Sequence, residues 1–297
     1  MDNQTSYIIG TDDHSELKTY SGRKYHDNEK VAYLLPEDSD ESSRLNKQHL
    51  VLRYFLQKNF IAPIDKQLEE GITVLDSGCG PASWLFDMAK DYPKSKFHGV
   101  DITNTFPEEA KLENCEFVLG NIGERIPFPD NTFDYVHQRL LLLGLTKEMW
   151  EKNIKELFRV LKPGGCIEIK EPDLRDLCNM GPLLNSLQGT LSSMLASRGM
   201  PLKISVELEG RLTDAGFENI DHSILNLNLN HNGRVGDMLW DDYYHGCMNI
   251  RPVMAITNPA YEDLEAYKVF LNECSAEAAE LKTDIQWHTC IAKKPLN

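Results

Sequence analysis

The sequence predicts an α/β fold, in which a mainly parallel sheet carries helices on both faces. Short runs rich in branched apolar residues alternate with helical apolar spacing along the chain, which is typical of strands and helices in such a fold. The clearest unit starts with a buried strand over residues 72–75 and continues through Asp76 to a tight turn at Gly78 and Gly80. An apolar helix over residues 84–90 follows that turn. A strand, a glycine turn and a helix in this order bring backbone amides and a helix N-terminus close to a ligand.

A second carboxylate lies at the end of the next predicted strand, residues 96–101, which ends in Asp101. An acid about twenty residues beyond a glycine turn commonly binds a ribose diol. Two classes of ligand fit this unit. A dinucleotide site needs a third glycine, where the chain has Ser83, and Asp76 would face the incoming pyrophosphate. A ligand that carries an ammonium and a sulfonium suits Asp76 better, so an NAD(P)-dependent dehydrogenase is the less favoured alternative.

The sequence of the turn resembles a known motif. Residues 74–82, which read Val-Leu-Asp-Ser-Gly-Cys-Gly-Pro-Ala, resemble the first motif of class I S-adenosyl-L-methionine (SAM) dependent methyltransferases, with Ala82 in place of the commoner final glycine. The resemblance implies a Rossmann-like seven-stranded sheet whose last strand, expected over residues 283–293, inserts antiparallel to its neighbours. It also implies SAM as the cofactor.

The N-terminal block is similar to that of the fungal LaeA-like methyltransferases. The similar stretches are Gly-Arg-Lys-Tyr-His at residues 22–26, Tyr-Leu-Leu-Pro-Glu-Asp at 33–38 and Gln-His at 48–49. The pattern Phe-Asp-x-x-His-x-Arg at residues 133–139 is characteristic of the same group. That group contains a regulator of secondary metabolism and many pathway O-, N- and S-methyltransferases, so the resemblance implies a metabolite methyltransferase or such a regulator.

Composition and charge limit the partners and the location. With 297 residues the chain can bury a full core, and its formal net charge of −15 makes it poorly suited to nucleic acid or an anionic membrane surface. Residues 1–20 are polar and acidic, and no apolar run is long enough to span a bilayer. The seven cysteines are scattered without a C-x-x-C pair, which favours reduced thiols over a disulfide framework or a metal site. We expect a cytoplasmic protein, with the nucleus as the alternative; a homo-oligomer is left open.

The chain is expected to form a single methyltransferase domain over residues 21–297, after a flexible polar tail over residues 1–20. Apolar residues at helical spacing precede the glycine turn, and further helical patterns follow the fifth predicted strand. Within the domain we expect a helical cap over residues 21–65, a SAM-binding core over residues 66–173, and helical lid elements on the substrate side over residues 174–210 and 230–282.

The cofactor-binding candidates lie at the carboxyl ends of the predicted strands, where open α/β sheets bind their ligands. The methyltransferase resemblance places Asn121 beside the adenine amino group, and Ile122 could pack on the adenine face. Arg139 or Arg23 would orient the carboxylate of SAM or of an acidic substrate. The full predicted set is Arg23, Tyr25, Asp76, Gly78, Cys79, Gly80, Trp84, Asp101, Ile102, Asn121, Ile122, His137 and Arg139.

Methyl transfer from a sulfonium is an in-line displacement, so the protein mainly has to hold a nucleophile about 3 Å from the methyl group. Some hydroxyl and amine acceptors need a base, for which His137 is the first candidate and His245 the second. A carboxylate or thiolate acceptor needs none. Acceptor-binding candidates lie at the end of the fifth predicted strand and in a later aromatic segment: Glu171, Trp240, Tyr243, Tyr244 and His245.

The sequence therefore predicts a SAM-dependent methyltransferase that acts on a small-molecule acceptor in secondary metabolism. The alternatives are a LaeA-like regulator that acts through protein complexes, and a protein methyltransferase. The methylated atom of the acceptor is not defined by the sequence.

Overall fold

The computed structural model describes residues 17–20, 23–26, 32–106 and 112–296. Strands and helices alternate through most of these ranges. In chain order they are β1 (Leu17–Tyr20), β2 (Arg23–His26), α1 (Ser39–Leu56), α2 (Asp65–Glu70), β3 (Thr73–Ser77), α3 (Ser83–Asp91), β4 (Lys96–Asp101), β5 (Cys115–Leu119), β6 (Phe133–Arg139), α4 (Lys147–Val160), β7 (Leu161–Cys178), α5 (Pro182–Ser197), α6 (Ile204–Asp214), β8 (Glu218–Asn228), α7 (Arg234–Thr257), a 3₁₀ turn (Pro259–Tyr261), α8 (Leu264–Leu281) and β9 (Asp284–Lys293).

Seven of the strands form one sheet in the order β5-β4-β3-β6-β7-β9-β8. The strands from β3 to β7 pair in parallel, whereas β9 runs antiparallel to both β7 and β8. The predicted seven-stranded α/β fold with an antiparallel last strand is therefore confirmed. The strand order reverses at β3, which has β4 on one side and β6 on the other. The carboxyl end of β3 is thus the place where open α/β sheets bind their ligands.

Helices cover both faces of this sheet because each has an apolar side. Trp84 and Met88 of α3 pack with Phe97 of β4 on one face. On the other face, Trp150 and Leu157 of α4 pack with strand residues and with α6. The core thus consists of two apolar layers that hold the strands rigid. No helix within the described ranges is long and apolar enough to cross a lipid bilayer.

A third apolar cluster lies above the carboxyl edge of the sheet. It joins α1, α5, α7 and α8 with Leu34 and Leu35, which precede α1 in the chain. The predicted lid segments supply α5, α7 and α8. Two parts of the first lid segment belong elsewhere, because residues 174–178 continue β7 and α6 packs on the sheet. This cluster forms a helical roof over one half of the sheet edge.

The N-terminal cap begins with a β-hairpin, in which β1 and β2 pair antiparallel. The prediction of a helical cap over residues 21–65 is therefore wrong for its first part, and the predicted tail already contains the strand Leu17–Tyr20; residues 1–16 lie outside the described residues. Helix α1 starts only at Ser39, because the Asp38 side chain accepts a hydrogen bond from the Glu41 N–H at 3.0 Å and caps the helix there.

Polar side chains fix the cap to α7. Arg23 pairs with Asp38 and also donates to Asn249, and the Tyr25 hydroxyl donates to the Asn249 carbonyl at 2.9 Å. Further along the same interface, Arg44 forms an ion pair with Asp242 at 2.6 Å and another with Glu41. The hairpin and α1 are consequently attached to a helix near the other end of the sequence.

Candidate functional site

The turn between β3 and α3 is held against the end of β4. Gly78, with φ of 73°, and Gly80, with φ of 52°, adopt left-handed backbone conformations that favour glycine. The N–H groups of Gly78 and Cys79 both donate to the Val100 carbonyl, at 2.8 and 3.1 Å, and the Gly80 N–H donates to Asp101 at 2.8 Å. The turn is therefore held firmly against β4, and these three N–H groups are already paired within the protein.

The Asp101 carboxylate organises the end of β4. Oδ2 accepts the bond from Gly80, and Oδ1 accepts from both the backbone N–H of Thr103 at 2.9 Å and its hydroxyl at 2.8 Å. A carboxylate has about four lone-pair positions, so one acceptor position remains after these three bonds. Asp101 can therefore hold the turn and still accept a hydrogen bond from a diol.

A cavity of about 50 Å³ lies beside this turn, at the ends of β3, β4 and β5. Five of the predicted cofactor-binding residues line it: Gly78, Asp101, Ile102, Asn121 and Ile122. The Asn121 side-chain oxygen accepts a hydrogen bond from the Gly123 N–H at 3.0 Å, which fixes the amide orientation. The remaining wall consists of residues to which sequence analysis gave no role: Ala32, Tyr33, Leu141, Gly144, Leu145 and Met149.

Tyr33 limits the size of this cavity. It also borders a second space of about 20 Å³, which reaches Leu45 and Gly80 and shares Asp101 with the first. Ligand pockets commonly have volumes of about 300 to 1,000 Å³. The two cavities together form a groove that is too small for a nucleoside-sized ligand, and displacement of Tyr33, which borders both, would enlarge it. Burial next to Glu41 and Asp101 raises the pKa of Tyr33 well above its ordinary value, so its hydroxyl stays protonated.

Asp76 and His137 form a buried pair on neighbouring strands. His137 Nδ1 lies 2.8 Å from Asp76 Oδ1, and the imidazole stacks on the Trp84 indole with 3.9 Å between the ring centroids. Burial raises the pKa of Asp76 to about 7, and burial lowers the pKa of His137 well below its ordinary value. His137 is therefore neutral, and its Nδ1–H donates to Asp76 when that carboxylate is ionised.

The position of His137 contradicts its predicted role as the general base. Its side chain is fully buried, and Nε2 contacts neither solvent nor a hydrogen-bond partner among the described residues. An acceptor in the groove cannot reach this nitrogen. His245, the second candidate, is half exposed on α7, and its Nδ1 lies 2.7 Å from the Asp241 carbonyl oxygen. His245 lines neither of the two cavities at Tyr33, and its role stays a prediction.

Arg139 is the last residue of β6, two residues beyond His137 and on the same face of the sheet. Its Nη2 lies 3.0 Å from Nδ1 of His49 on α1. Burial lowers the pKa of Arg139, while Asp76 and Asp87 act in the opposite direction through their charges. Arg139 thus places a largely buried positive charge next to the cofactor turn.

Seven predicted cofactor residues line neither cavity: Asp76, His137 and Arg139, described above, and Arg23, Tyr25, Trp84 and Cys79. Arg23 and Tyr25 belong to the joint between the cap and α7, where Asp38 and Asn249 occupy their polar groups. Trp84 is a core residue whose indole N–H donates to the Asn59 carbonyl at 2.7 Å. The Cys79 side chain points toward Gly99, and burial raises the pKa of its thiol. Tertiary contacts thus engage these four side chains away from the two cavities, and their role toward the cofactor stays a prediction.

The predicted acceptor-binding residues are mostly structural. Glu171 is buried, and its two oxygens accept the N–H groups of Leu141 and Leu142 at 2.7 and 3.1 Å, which fixes one wall of the groove. Trp240 and Tyr243 lie in the roof cluster. Tyr244 packs against the same cluster from its partly exposed side. The expected facing of Glu171 into the crevice is therefore wrong, and the predicted aromatic wall is mainly core.

The described residues contain no group of three or more His, Cys, Asp and Glu side chains that could hold a metal ion. Residues 74–165 match a family model described as a methyltransferase domain. This span runs from β3 into β7 and includes Asp76, Asp101 and Arg139. The protein is a SAM-dependent methyltransferase with the class I fold. The methyltransferase thus has its family motif on the strand where its sheet order reverses.

Curated relatives of the methyltransferase include fungal proteins. It is 28% identical over 246 residues to the N-methyltransferase sirN of Leptosphaeria maculans. The match covers 80% of this chain and 83% of that protein. It is also 28% identical over 239 residues to the secondary metabolism regulator laeA of Monascus pilosus, covering 77% of this chain and 64% of that protein. The predicted similarity to the LaeA-like group is confirmed.

Other similarities are confined to the core or to the fold. A demethylmenaquinone methyltransferase of Listeria monocytogenes is 36% identical over 119 residues, and the chain spans about half of that protein, 49%. Phosphoethanolamine N-methyltransferase 2 of Haemonchus contortus, solved with phosphomonomethylethanolamine and S-adenosylhomocysteine, has a TM-score of 0.51 at 18% identity. That comparison covers 86% of this chain and 59% of the other, and it shows the shared fold.

The side chains of the groove fit SAM. Asp101 retains an acceptor position, and Ile102 and Ile122 supply apolar walls. Asp76 lines neither cavity and is paired with His137 at the end of the neighbouring strand. At Gly78 a Cβ would meet the Leu141 side chain at 2.8 Å, so the backbone itself forms the surface there. SAM supplies an activated methyl group on a sulfonium. The residues described here would bind and orient it.

Proposed function

We propose that this methyltransferase acts on a small-molecule acceptor in secondary metabolism. The observation that carries the proposal is the cover over the groove. Ala32 and Tyr33 line the cavity next to Gly78 and Asp101, and the adjoining Leu34 and Leu35 pack into the roof made by α1, α5, α7 and α8. An enclosed groove of this kind suits a compact acceptor better than a side chain on a folded protein.

A nitrogen acceptor fits the chemistry of the groove best. A neutral amine can attack a sulfonium methyl group without a base, which agrees with the burial of His137. The printed name of the relative sirN, an N-methyltransferase, supports the same atom type. The name of the relative laeA supports a setting in secondary metabolism, and it also supplies the alternative, a regulatory protein.

Residence in the cytoplasm is part of the proposal, and imaging of the fluorescently tagged chain would test it.

The test is incubation of the full-length protein with methyl-labelled SAM and a fractionated cell extract. We expect label in a small-molecule fraction, from which mass spectrometry would identify the acceptor. Asp101→Ala should abolish most of this label, while Tyr54→Ala, on the exposed side of α1, should leave it unchanged. Label found only in protein would overturn the proposal in favour of a protein methyltransferase, and the absence of label from every fraction would also contradict it.

A further inference from the structure

We propose that His49 and Asp87 form a positioning chain for Arg139, and that Arg139 thereby binds the α-carboxylate of SAM. This inference rests on the proposed function only in placing SAM in the groove. Arg139 would contact the cofactor directly. His49 and Asp87 would act through Arg139, so they are positioning residues.

The chain of contacts joins three elements. Arg139 at the end of β6 lies with Nη2 3.0 Å from His49 Nδ1, and His49 Nε2 on α1 lies 2.8 Å from Asp87 Oδ2 on α3. A guanidinium group can only donate hydrogen bonds, so His49 Nδ1 must be the acceptor. Nε2 therefore carries the proton and donates it to Asp87. Asp87 thus selects the tautomer that lets His49 hold Arg139.

The surroundings keep His49 neutral and Asp87 in place. His49 is buried, and burial together with the charge of Arg139 lowers its pKa to about 4. Arg53 Nη1 lies 2.5 Å from the same Asp87 oxygen on the solvent side. A neutral His49 can accept from Arg139 across the whole neutral pH range, so the chain works as a fixed support.

Arg139 keeps donors for a ligand after this contact. Across residues 17–20, 23–26, 32–106 and 112–296, its guanidinium makes a hydrogen bond to His49 and no ion pair with a carboxylate. The charges of Asp76 and Asp87 act on this cation, but neither carboxylate forms an ion pair with it, so an anion in direct contact is still favoured. Nη2 has a second N–H, which together with that of Nε or of Nη1 can donate to the two oxygens of a carboxylate, the bidentate geometry that arginine prefers.

The position of Asp76 indicates that the anion bound by Arg139 is the α-carboxylate of SAM. Asp76 lies opposite His137 in the parallel register, so Arg139 is two residues, or about 7 Å, further along the neighbouring strand on the same face. The site therefore presents a carboxylate and a guanidinium side by side. This pair complements the ammonium and the carboxylate of an α-amino acid, which is the end of SAM opposite to its adenosine.

The experiment compares two ligands that differ at this end. S-adenosylhomocysteine and 5′-methylthioadenosine share the adenosine and a thioether, and only the first carries the amino-acid group. Calorimetry on the full chain should show that Arg139→Gln weakens S-adenosylhomocysteine binding by roughly ten- to a hundredfold and leaves methylthioadenosine unchanged. His49→Leu should cause a smaller loss with the same selectivity. His49→Gln, which offers both an acceptor and a donor, should restore binding.

Arg53→Ala is the matched control, because it removes the solvent-side partner of Asp87 and leaves the link between His49 and Arg139. It should not change the affinity for either ligand. Equal losses for both ligands in Arg139→Gln, or an unchanged affinity in His49→Leu, would overturn the proposal. If Arg139→Gln changes neither affinity and raises only the KM of the acceptor, Arg139 binds a carboxylate of the acceptor, and the proposal is overturned.

Should His49→Leu fail to fold, as thermal unfolding would reveal, Arg139→Gln and His49→Gln still test the proposal.

Two further outcomes separate this inference from the proposed function. A wild-type protein that binds neither ligand would overturn the assignment of the groove to SAM, and with it the proposed function. Selective binding of S-adenosylhomocysteine by the wild type, unaffected by Arg139→Gln, would overturn only the inference drawn here.

Discussion

The imidazole of His137 lies flat on the indole of Trp84, and its Nδ1 forms a hydrogen bond with Asp76. One side chain thus connects the packed face of α3 with the carboxylate at the end of β3. The stacking fixes the plane of the ring, and the ring fixes the direction of the Asp76 carboxylate. His137 therefore shapes the site without touching an acceptor.

Replacement of His137 tests this structural role. His137→Ala should lower the free energy of unfolding by about 2–4 kcal/mol, because it removes a stacked ring and leaves the buried Asp76 without its donor. His137→Asn can still donate to Asp76 and should keep kcat within a few-fold of the wild type. Urea unfolding and turnover of the acceptor measure the two effects. A general base contributes about 100- to 10,000-fold, so a loss of that size in folded His137→Asn would restore the catalytic role.

The raised pKa of Asp76 predicts a pH-dependent affinity. Burial raises this pKa from 3.8 to about 7, so the carboxylate that would bind an ammonium group is protonated in most molecules below that pH. The Kd of S-adenosylhomocysteine should fall by up to about tenfold per pH unit as the pH rises toward 7, and level off above it. Asp76→Asn should flatten this profile. A flat wild-type profile in calorimetry from acid to neutral pH would contradict the prediction.

The raised pKa of Asp76 also makes the free energy of unfolding depend on pH, in the opposite direction to the ligand affinity. Between pH 3.8 and about 7 the native state retains a proton on Asp76 that the unfolded chain has lost. The contribution of Asp76 to the free energy of unfolding therefore decreases as the pH rises through this window.

Loss of the Asp101 carboxylate should weaken cofactor binding. Asp101→Ala removes the remaining acceptor position and also releases the turn at Gly80, so we expect S-adenosylhomocysteine binding to weaken by on the order of 1–3 kcal/mol. Thr103→Val is the matched control, because it removes a hydroxyl donor to Asp101 and keeps the carboxylate. It should cost clearly less. Equal losses in both variants would show that Asp101 acts only by holding the loop.

Removal of the Tyr33 ring should speed ligand exchange. Tyr33 separates two small cavities that both border Asp101, so its ring occupies space that a nucleoside needs. In Tyr33→Ala, stopped-flow measurements should show faster association and faster dissociation of S-adenosylhomocysteine, with a smaller change in Kd. Tyr54→Ala, on the exposed side of α1, controls for the loss of an aromatic ring from the cap. Unchanged rates in Tyr33→Ala would mean that the ligand enters elsewhere.

Part of the site follows from local sequence alone. Gly78, Asp101 and Asn121 come directly after short buried strands, and parallel strands bring their carboxyl ends together at one edge. The fold class follows from the same alternation of strands and helices. These features depend on neighbours in the sequence, which a pattern of spacing records.

The misassigned residues depend on distant contacts. The partner of Arg23 and Tyr25 on α7 is Asn249, which no local pattern could connect to them. A strand-end histidine has the same sequence pattern whether it faces a helix or a cavity, so the burial of His137 under Trp84 was not predictable. An aromatic stripe on a helix also looks the same in a core and in a pocket wall, which explains Trp240.

The attachment of the cap has a consequence for synthesis on the ribosome. Arg23 and Asn249 are 226 positions apart, and Arg44 and Asp242 are 198 positions apart. The cap is thus made early, yet its docking surface on α7 emerges only when most of the chain has been translated. Nascent chains shorter than this would leave Leu34 and Leu35 without the roof cluster, exposing apolar surface that chaperones bind. Covering of the groove is therefore a late event in the folding of this enzyme.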